Sequence, residues 1–234
     1  MSVARRRWRP ARLAALAAAV MVVSGCGSVH PGSAAVVGSQ SISHAEVDDV
    51  AAALCSANLE SAKAQGQAAQ ALPTRGVREG ALQILLETEL NQQFGEARGV
   101  AANKQQVSQA VQQNAQGIAL LPADQQEDFR TALAGYAEGQ LMLIEVGRRE
   151  LSKTGAKNVT EEQAVSEGTK LRNAWADKHV DVTVDPRFGA YSKNALLNES
   201  GSLSVAQSQN ATDGGSPDPS QGWVASLPAS QKCS

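Results

Sequence analysis

Apolar residues recur along this chain at helical spacing far more often than at strand spacing. After Pro73-Thr74, the residues Val77, Ala81, Ile84, Leu85 and Phe94 fall on one stripe, which Leu82, Leu86 and Leu90 broaden. Positions three and four apart share a helix face, so this spacing predicts a helix that stops at Gly99. Upstream, Ser43-His44-Ala45-Glu46 has the spacing of a capping box, in which the hydroxyl accepts the N3 amide proton while the glutamate reaches back. It starts a first helix at Ser43 that runs to about Gln65. Asn103 caps a shorter polar helix to about Asn114, with a thin apolar face of Val107, Ala110 and Val111. Residues 118–122 read as an apolar connection. Beyond Asp124 a long helix extends to about Lys153, turns Phe129, Leu133, Tyr136, Leu143 and Ile144 inward, and ends at Gly155. Thr160-Glu161-Glu162-Gln163 opens another, with Ala164, Gly168, Leu171 and Trp175 on a shared face.

Two stretches break the helical period. Val180-Asp181-Val182-Thr183-Val184 alternates strictly, as a half-buried strand does, and Pro186 stops it. A lone strand leaves its backbone groups unpaired. Residues 34–37 with Ser41-Ile42 form the other β-like run, so a short two-stranded pairing between the two ends is expected to close the domain near Tyr191. The second break is residues 13–23, an almost unbroken apolar run behind Arg5, Arg6, Arg7, Arg9 and Arg12. The run is too short for a permanent membrane span, and its basic-then-apolar order marks an export signal. Val23-Ser24-Gly25-Cys26 follows and resembles a bacterial lipobox, where the cysteine thiol receives a diacylglycerol and the chain is cut before it. The alternative is an ordinary signal peptide ending in a chance cysteine. The expected organisation is a signal peptide over 1–25, a tether over 26–33, and a lipid anchor at Cys26 on the extracytoplasmic face of the cell membrane.

Composition agrees with helices. Aromatic residues are only 3% of the chain, which suits packed Ala- and Leu-rich helices better than a β-sandwich. Residues 1–25 hold five of the 21 basic side chains and none of the 23 acidic ones, so the remainder carries a formal net charge of −7. That balance argues against a nucleic-acid partner, which needs a basic footprint. With Cys26 lipidated, Cys55 and Cys233 make an even pair in an oxidising compartment and are expected to form a disulfide. Residues 192–222, rich in Ser, Gly, Asn and Pro, read as a flexible linker. Trp223-Val224 and Leu227-Pro228 precede Cys233, so residues 223–234 read as a strap docked on the first helix.

The chain offers little for catalysis. His30, His44 and His179 lack the i, i+4 spacing of a zinc helix, and no cysteine lies beside them. Asp48-Asp49 and Glu161-Glu162 are adjacent, so each pair faces two directions and reads as solvated surface. There is no phosphate-cradling glycine loop and no nucleophile elbow. No catalytic residue, metal or cofactor is therefore assigned. Gly135, Gly139 and Gly147 share the long helix, and close helix contact is favoured there over a flexible groove wall.

The order of elements resembles a known family. It opens on Val36-Val37-Gly38-Ser39-Gln40-Ser41-Ile42-Ser43, places Ala81-Leu82-Gln83-Ile84-Leu85-Leu86 in a helix ending at Ala97-Arg98-Gly99-Val100, and closes on Val182-Thr183-Val184-Asp185-Pro186-Arg187-Phe188-Gly189. Over residues 34–191 this is similar to the N-terminal domain of the SurA-like extracytoplasmic chaperones. The resemblance implies a mainly α, multi-helix domain that binds unfolded or exported polypeptides without catalysis. Many relatives also carry a parvulin-type prolyl isomerase domain, but nothing comparable fits between Gly155 and Val180. Splayed helices would form an apolar cradle, with Leu82, Leu86, Phe129, Tyr136 and Trp175 as candidates for cradle or core. The alternative is a structural or scaffolding lipoprotein that binds one specific cell-envelope partner.

Overall fold

A computed structural model describes residues 32–197, 208–216 and 218–233. The expected signal peptide, Cys26 and the tether as far as Pro31 lie outside the described residues. Chain order runs β1 (Ser33–Val37), β2 (Gln40–Ser43), α1 (His44–Ala64), β3 (Leu72–Pro73), α2 (Thr74–Ala97), α3 (Lys104–Gln113), α4 (Ala115–Leu120), α5 (Gln126–Lys153) and α6 (Glu161–His179). It continues through β4 (Val182–Val184), β5 (Ala190–Ser192), β6 (Ala195–Leu197), α7 (Gln209–Gly215), α8 (Gln221–Ser226) and β7 (Lys232–Cys233). The fold is mainly α, with short antiparallel strands.

The helices begin where side chains can satisfy their free amides. Ser43 accepts from the Glu46 amide at 3.1 Å, although Glu46 is exposed and the expected capping box is only half made. At α6 both halves form: Thr160 Oγ1 accepts from the Gln163 amide at 3.2 Å, and Gln163 Oε1 accepts from the Thr160 amide at 3.0 Å. Asn103 Oδ1 accepts from the Gln105 amide at 2.9 Å and starts α3. Gly99 and Gly155 take φ of 64° and 86° just beyond α2 and α5, a left-handed turn that glycine adopts without a Cβ penalty.

The expected two-stranded closure is a three-stranded sheet in the order β2-β1-β4. β1 is central, with Val36 opposite Ser41 on one side and Thr183 on the other. The correction has a simple cause. A two-residue turn at Gly38-Ser39, with Gly38 at φ 60°, folds β2 back onto β1, while β4 fills the other edge. Residues 118–122, expected as a connection, begin inside α4, where Ile118 is buried.

Two apolar clusters form the core. Ala34, Val37, Val47, Val50, Leu82, Leu86 and Leu90 join the sheet to α1 and α2. Phe94, Val100, Met142, Leu143 and Val146 join the end of α2 to α5. Trp175 touches both clusters, and its ring centroid lies 5.6 Å from that of Phe94. Close contact governs how α5 is turned. A Cβ on Gly147 would overlap the Ala164 carbonyl oxygen, and one on Gly168 would fall 2.5 Å from the Leu143 carbonyl oxygen. Gly139 is close against α2 but less tight, with Thr88 O and Asn91 Cβ both 3.1 Å from the place of a Cβ. The buried stripe of α5 is therefore Ala137, Gly139, Met142, Leu143, Val146 and Gly147. Phe129, Leu133 and Ile144, expected inside, are half-buried flanks, and Tyr136 is exposed.

The span 192–222 is not simply a linker. β5 and β6 form a hairpin in which Tyr191 faces Leu196, and α7 and the start of α8 follow. Residues 198–207 and 217 lie outside the described residues. The strap reaches α1 through Cys233, whose sulfur lies at bonding distance from that of Cys55 with Cα atoms 5.6 Å apart. Its backbone docks elsewhere than expected, on β3 at the start of α2, with Leu72 opposite Cys233.

Candidate functional site

A groove of about 570 Å³ lies between the first half of α2, the β5–β6 hairpin and the C-terminal strap. That volume falls within the range of roughly 300–1,000 Å³ typical of ligand pockets. Its geometry begins with the two faces of α2. Ala81, Leu82, Leu85 and Leu86 face the core, whereas Gly76, Gly80 and Gln83 line the groove. A Cβ on Gly76 or Gly80 would meet nothing within 4 Å, so these glycines leave open space on the groove side.

Polar bonds set the groove's walls. Gln83 Oε1 accepts from the Leu196 amide at 3.0 Å and so holds β6 at one end. Arg75 donates to Glu79 Oε1 at 2.6 Å and to the Gly214 carbonyl at 3.3 Å, joining α2 to α7. Glu79 is buried, and its pairing with Arg75 offsets the cost of desolvating a carboxylate. Trp223 donates through its indole N–H to Asn210, and a Cβ on Gly214 would be 3.5 Å from its ring. Val224 is fully buried and anchors α8. Leu72, Pro73, Val77, Leu196 and Pro219 add apolar lining. An apolar trough with scattered amide and carboxylate groups can take an extended polypeptide segment; it holds no nucleophile paired to a base.

A second cluster locks the domain's ends. His44 Nε2 lies 3.0 Å from Asp185 Oδ2 and 2.9 Å from Arg187 Nη2, and the His44 ring stacks on Phe188 at 5.6 Å. Arg78 lies 5.2 Å over the Phe188 ring and donates to Asp48 Oδ1 at 2.6 Å. The hydrogen bond from Arg187 holds the Asp185 carboxyl down at about 2, helped by the Arg187 amide and His44 and opposed by partial burial. A carboxyl depressed in the folded state contributes stability above its ordinary value near 4 and loses it as pH falls towards 2. Asp185→Asn is therefore expected to melt a few degrees below the wild type at pH 6. The gap should close between pH 4 and 2 in thermal melts read by circular dichroism; a constant gap would refute the linkage.

The residues singled out from sequence are scattered. Leu82 and Leu86 are fully buried in the larger cluster, Trp175 is half-buried between the two, Phe129 is half-buried on α5, and Tyr136 is exposed. None of the five lines the groove. Leu120 and Tyr136 are the exposed large hydrophobics among the described residues. His179 is exposed, with Nδ1 2.7 Å from the Trp175 carbonyl, and His30 lies outside the described residues. Among the described residues there is no group of three or more His, Cys, Asp or Glu side chains placed to hold a metal, and no helix long and apolar enough to cross a membrane. Gly76 and Gly80 escaped sequence reading although their i, i+4 spacing opposite the apolar stripe was available as a signal.

No curated protein and no solved structure matches the chain. The family profile of the SurA-like N-terminal domain matches residues 4–136, more than half of the sequence. The match begins in the N-terminal basic segment and ends within α5, so α6 and β4, which complete the core and sheet, lie beyond it. On the strength of that match and of the mainly helical fold, the chain belongs to the SurA-like N-terminal domain family.

Proposed function

We propose that this protein is a membrane-anchored, extracytoplasmic chaperone-like protein that holds unfolded segments of exported polypeptides without catalysis. Membership of a chaperone-like family supports polypeptide binding at the coarse level. The observation that carries the finer reading is the groove on α2, which has apolar walls and a glycine floor. In this reading α2 and the strap replace the splayed-helix cradle expected from the sequence. The chain then acts as a binding module alone, with α6 over Glu161–His179 and no inserted isomerase domain invoked. Cys26 supplies the anchor as a thioether to diacylglycerol. Labelled palmitate should enter the wild type, and Cys26→Ala should remain unlabelled; label retained in that variant would overturn the anchor.

Gly80 gives the direct test of the groove. Gly80→Phe projects a ring into the open space without disturbing the core face of α2, so folding is expected to survive. Suppression of aggregation of a chemically unfolded polypeptide should fall by about tenfold in effective concentration, equivalent to about 1.4 kcal/mol of binding. Unchanged suppression would exclude the groove. A pull-down from membranes that returns one stoichiometric protein would instead establish the scaffolding reading.

A further inference from the structure

The strap makes one wall of the groove, yet its non-covalent hold on the body is slight. β7 meets β3 over two residue pairs, and Pro73 has no N–H to offer the ladder. Arg75 reaches Gly214, and Val224 is buried beneath α8. The Lys232 side chain bonds within the strap, to the Ala225 carbonyl at 2.7 Å, rather than across to the body. The strongest tie joins α1 to the last strand: Cys55 and Cys233, 178 residues apart, have Cα atoms 5.6 Å apart, inside the span a disulfide bridges.

We propose that the Cys55–Cys233 bond is a redox latch that holds the groove in its binding form and releases the strap wall when a dithiol reduces it. This rests on the polypeptide-binding reading of the groove. Cys233 is 4% exposed whereas Cys55 is half-buried, so the attack is assigned to the Cys55 side of the bond. The thiolate bonds to Cys55 Sγ, the S–S bond breaks, and Cys233 leaves as a thiolate that takes up a proton. The second thiol of the reductant then attacks the mixed disulfide and frees Cys55. The reductant is oxidised to a disulfide, and the protein gains two electrons and two protons. Two ladder pairs, the Arg75–Gly214 hydrogen bond and one buried valine do not keep α7 and the strap docked once the bond is gone. The groove then loses Gly214, Trp223 and Val224 from its lining, and its grip on a polypeptide segment with them.

The test uses the full chain in three forms: oxidised, reduced with dithiothreitol, and as Cys55→Ser/Cys233→Ser. Amide hydrogen exchange reports the strap, and the anisotropy of a labelled, carboxymethylated unfolded polypeptide reports binding. On reduction, exchange across residues 221–233 should quicken by about tenfold or more while amides of α2 and α5 stay protected. Affinity for the polypeptide should fall by about tenfold. The double variant should match the reduced form with or without dithiol. Two free thiols in protein isolated from an oxidising compartment would overturn the latch, as would unchanged strap exchange or loss of protection throughout the domain. Polypeptide binding of equal strength in oxidised and reduced forms also defeats the latch and leaves the groove reading intact. If the strap responds but the oxidised protein binds no polypeptide, the release step stands and the groove reading fails.

Discussion

Gly147→Ala is expected to destabilise the domain by about 3 kcal/mol, seen as a lower urea midpoint with an unchanged slope. A Cβ at this position overlaps the Ala164 carbonyl oxygen and falls 2.8 Å from the Gly168 nitrogen and 2.9 Å from the Ala164 carbonyl carbon. All three are backbone atoms. A side chain could rotate away, but a helix backbone can yield only by moving the whole of α6. That movement would draw Trp175 and Leu171 off Phe94, Met142 and Leu143 and open the smaller core cluster. Gly168→Ala meets the Leu143 carbonyl oxygen in the same α5–α6 seam, so the two losses should not add. Gly95 is a mixed case: its Cβ would fall 2.6 Å from Met142 Cε, which can rotate away, but also 2.7 Å from Met142 Cβ, which moves only with the α5 backbone, so Gly95→Ala should be costly as well. Gly80→Ala should have the opposite sign. Nothing crowds that position, and removing glycine from a helix interior gains about 0.5–1 kcal/mol. A Gly147→Ala protein as stable as the wild type would mean that α5 and α6 do not approach this closely.

Asn91→Leu is the second large effect, expected to cost about 2–3 kcal/mol. Arg172 is 6% exposed, and among the described residues it takes part in no ion pair. Its guanidinium donates instead to Asn91 Oδ1 at 3.0 Å and to Asn173 Oδ1 at 3.0 and 2.7 Å. Burial draws its pKa below the ordinary arginine value, opposed by the charge of Glu87. Removing the Asn91 acceptor leaves a buried cation short of a partner, which is far costlier than removing both groups together. Arg172→Met keeps most of the stem's volume and discards the charge, so it should cost less than Asn91→Leu. The double variant should equal or exceed the wild type in urea unfolding. Additive losses in that cycle would show that the pair is not coupled.

Both predictions concern features that no pattern of residue types announces. The helix starts are local: Thr160 and Gln163 cap each other within one turn, and Ser43 serves an amide three residues on. Residue order alone carried those. The alternation at 180–184 marked a strand, and the shortage of other β-like segments named its partner, but not that β2 would take the opposite edge of β1. Apolar periodicity predicted that α5 has a buried face and still placed Tyr136 on it. The orientation of that helix follows from where glycines admit a neighbouring backbone, and such contacts are made between distant segments. Gly147 meets Ala164, and Gly139 meets Thr88.

The sequence by itself determined the mainly helical class, most helix boundaries and the family, because these depend on neighbours along the chain or on counts of residue types. The tertiary structure alone decided the groove. Its floor is the face of α2 that periodicity leaves unassigned, and its wall is a segment lying some 140 residues later, as with Arg75 and Gly214, 139 apart. A helical pattern says which side of a helix avoids water, but not what arrives from far along the chain to cover the other side.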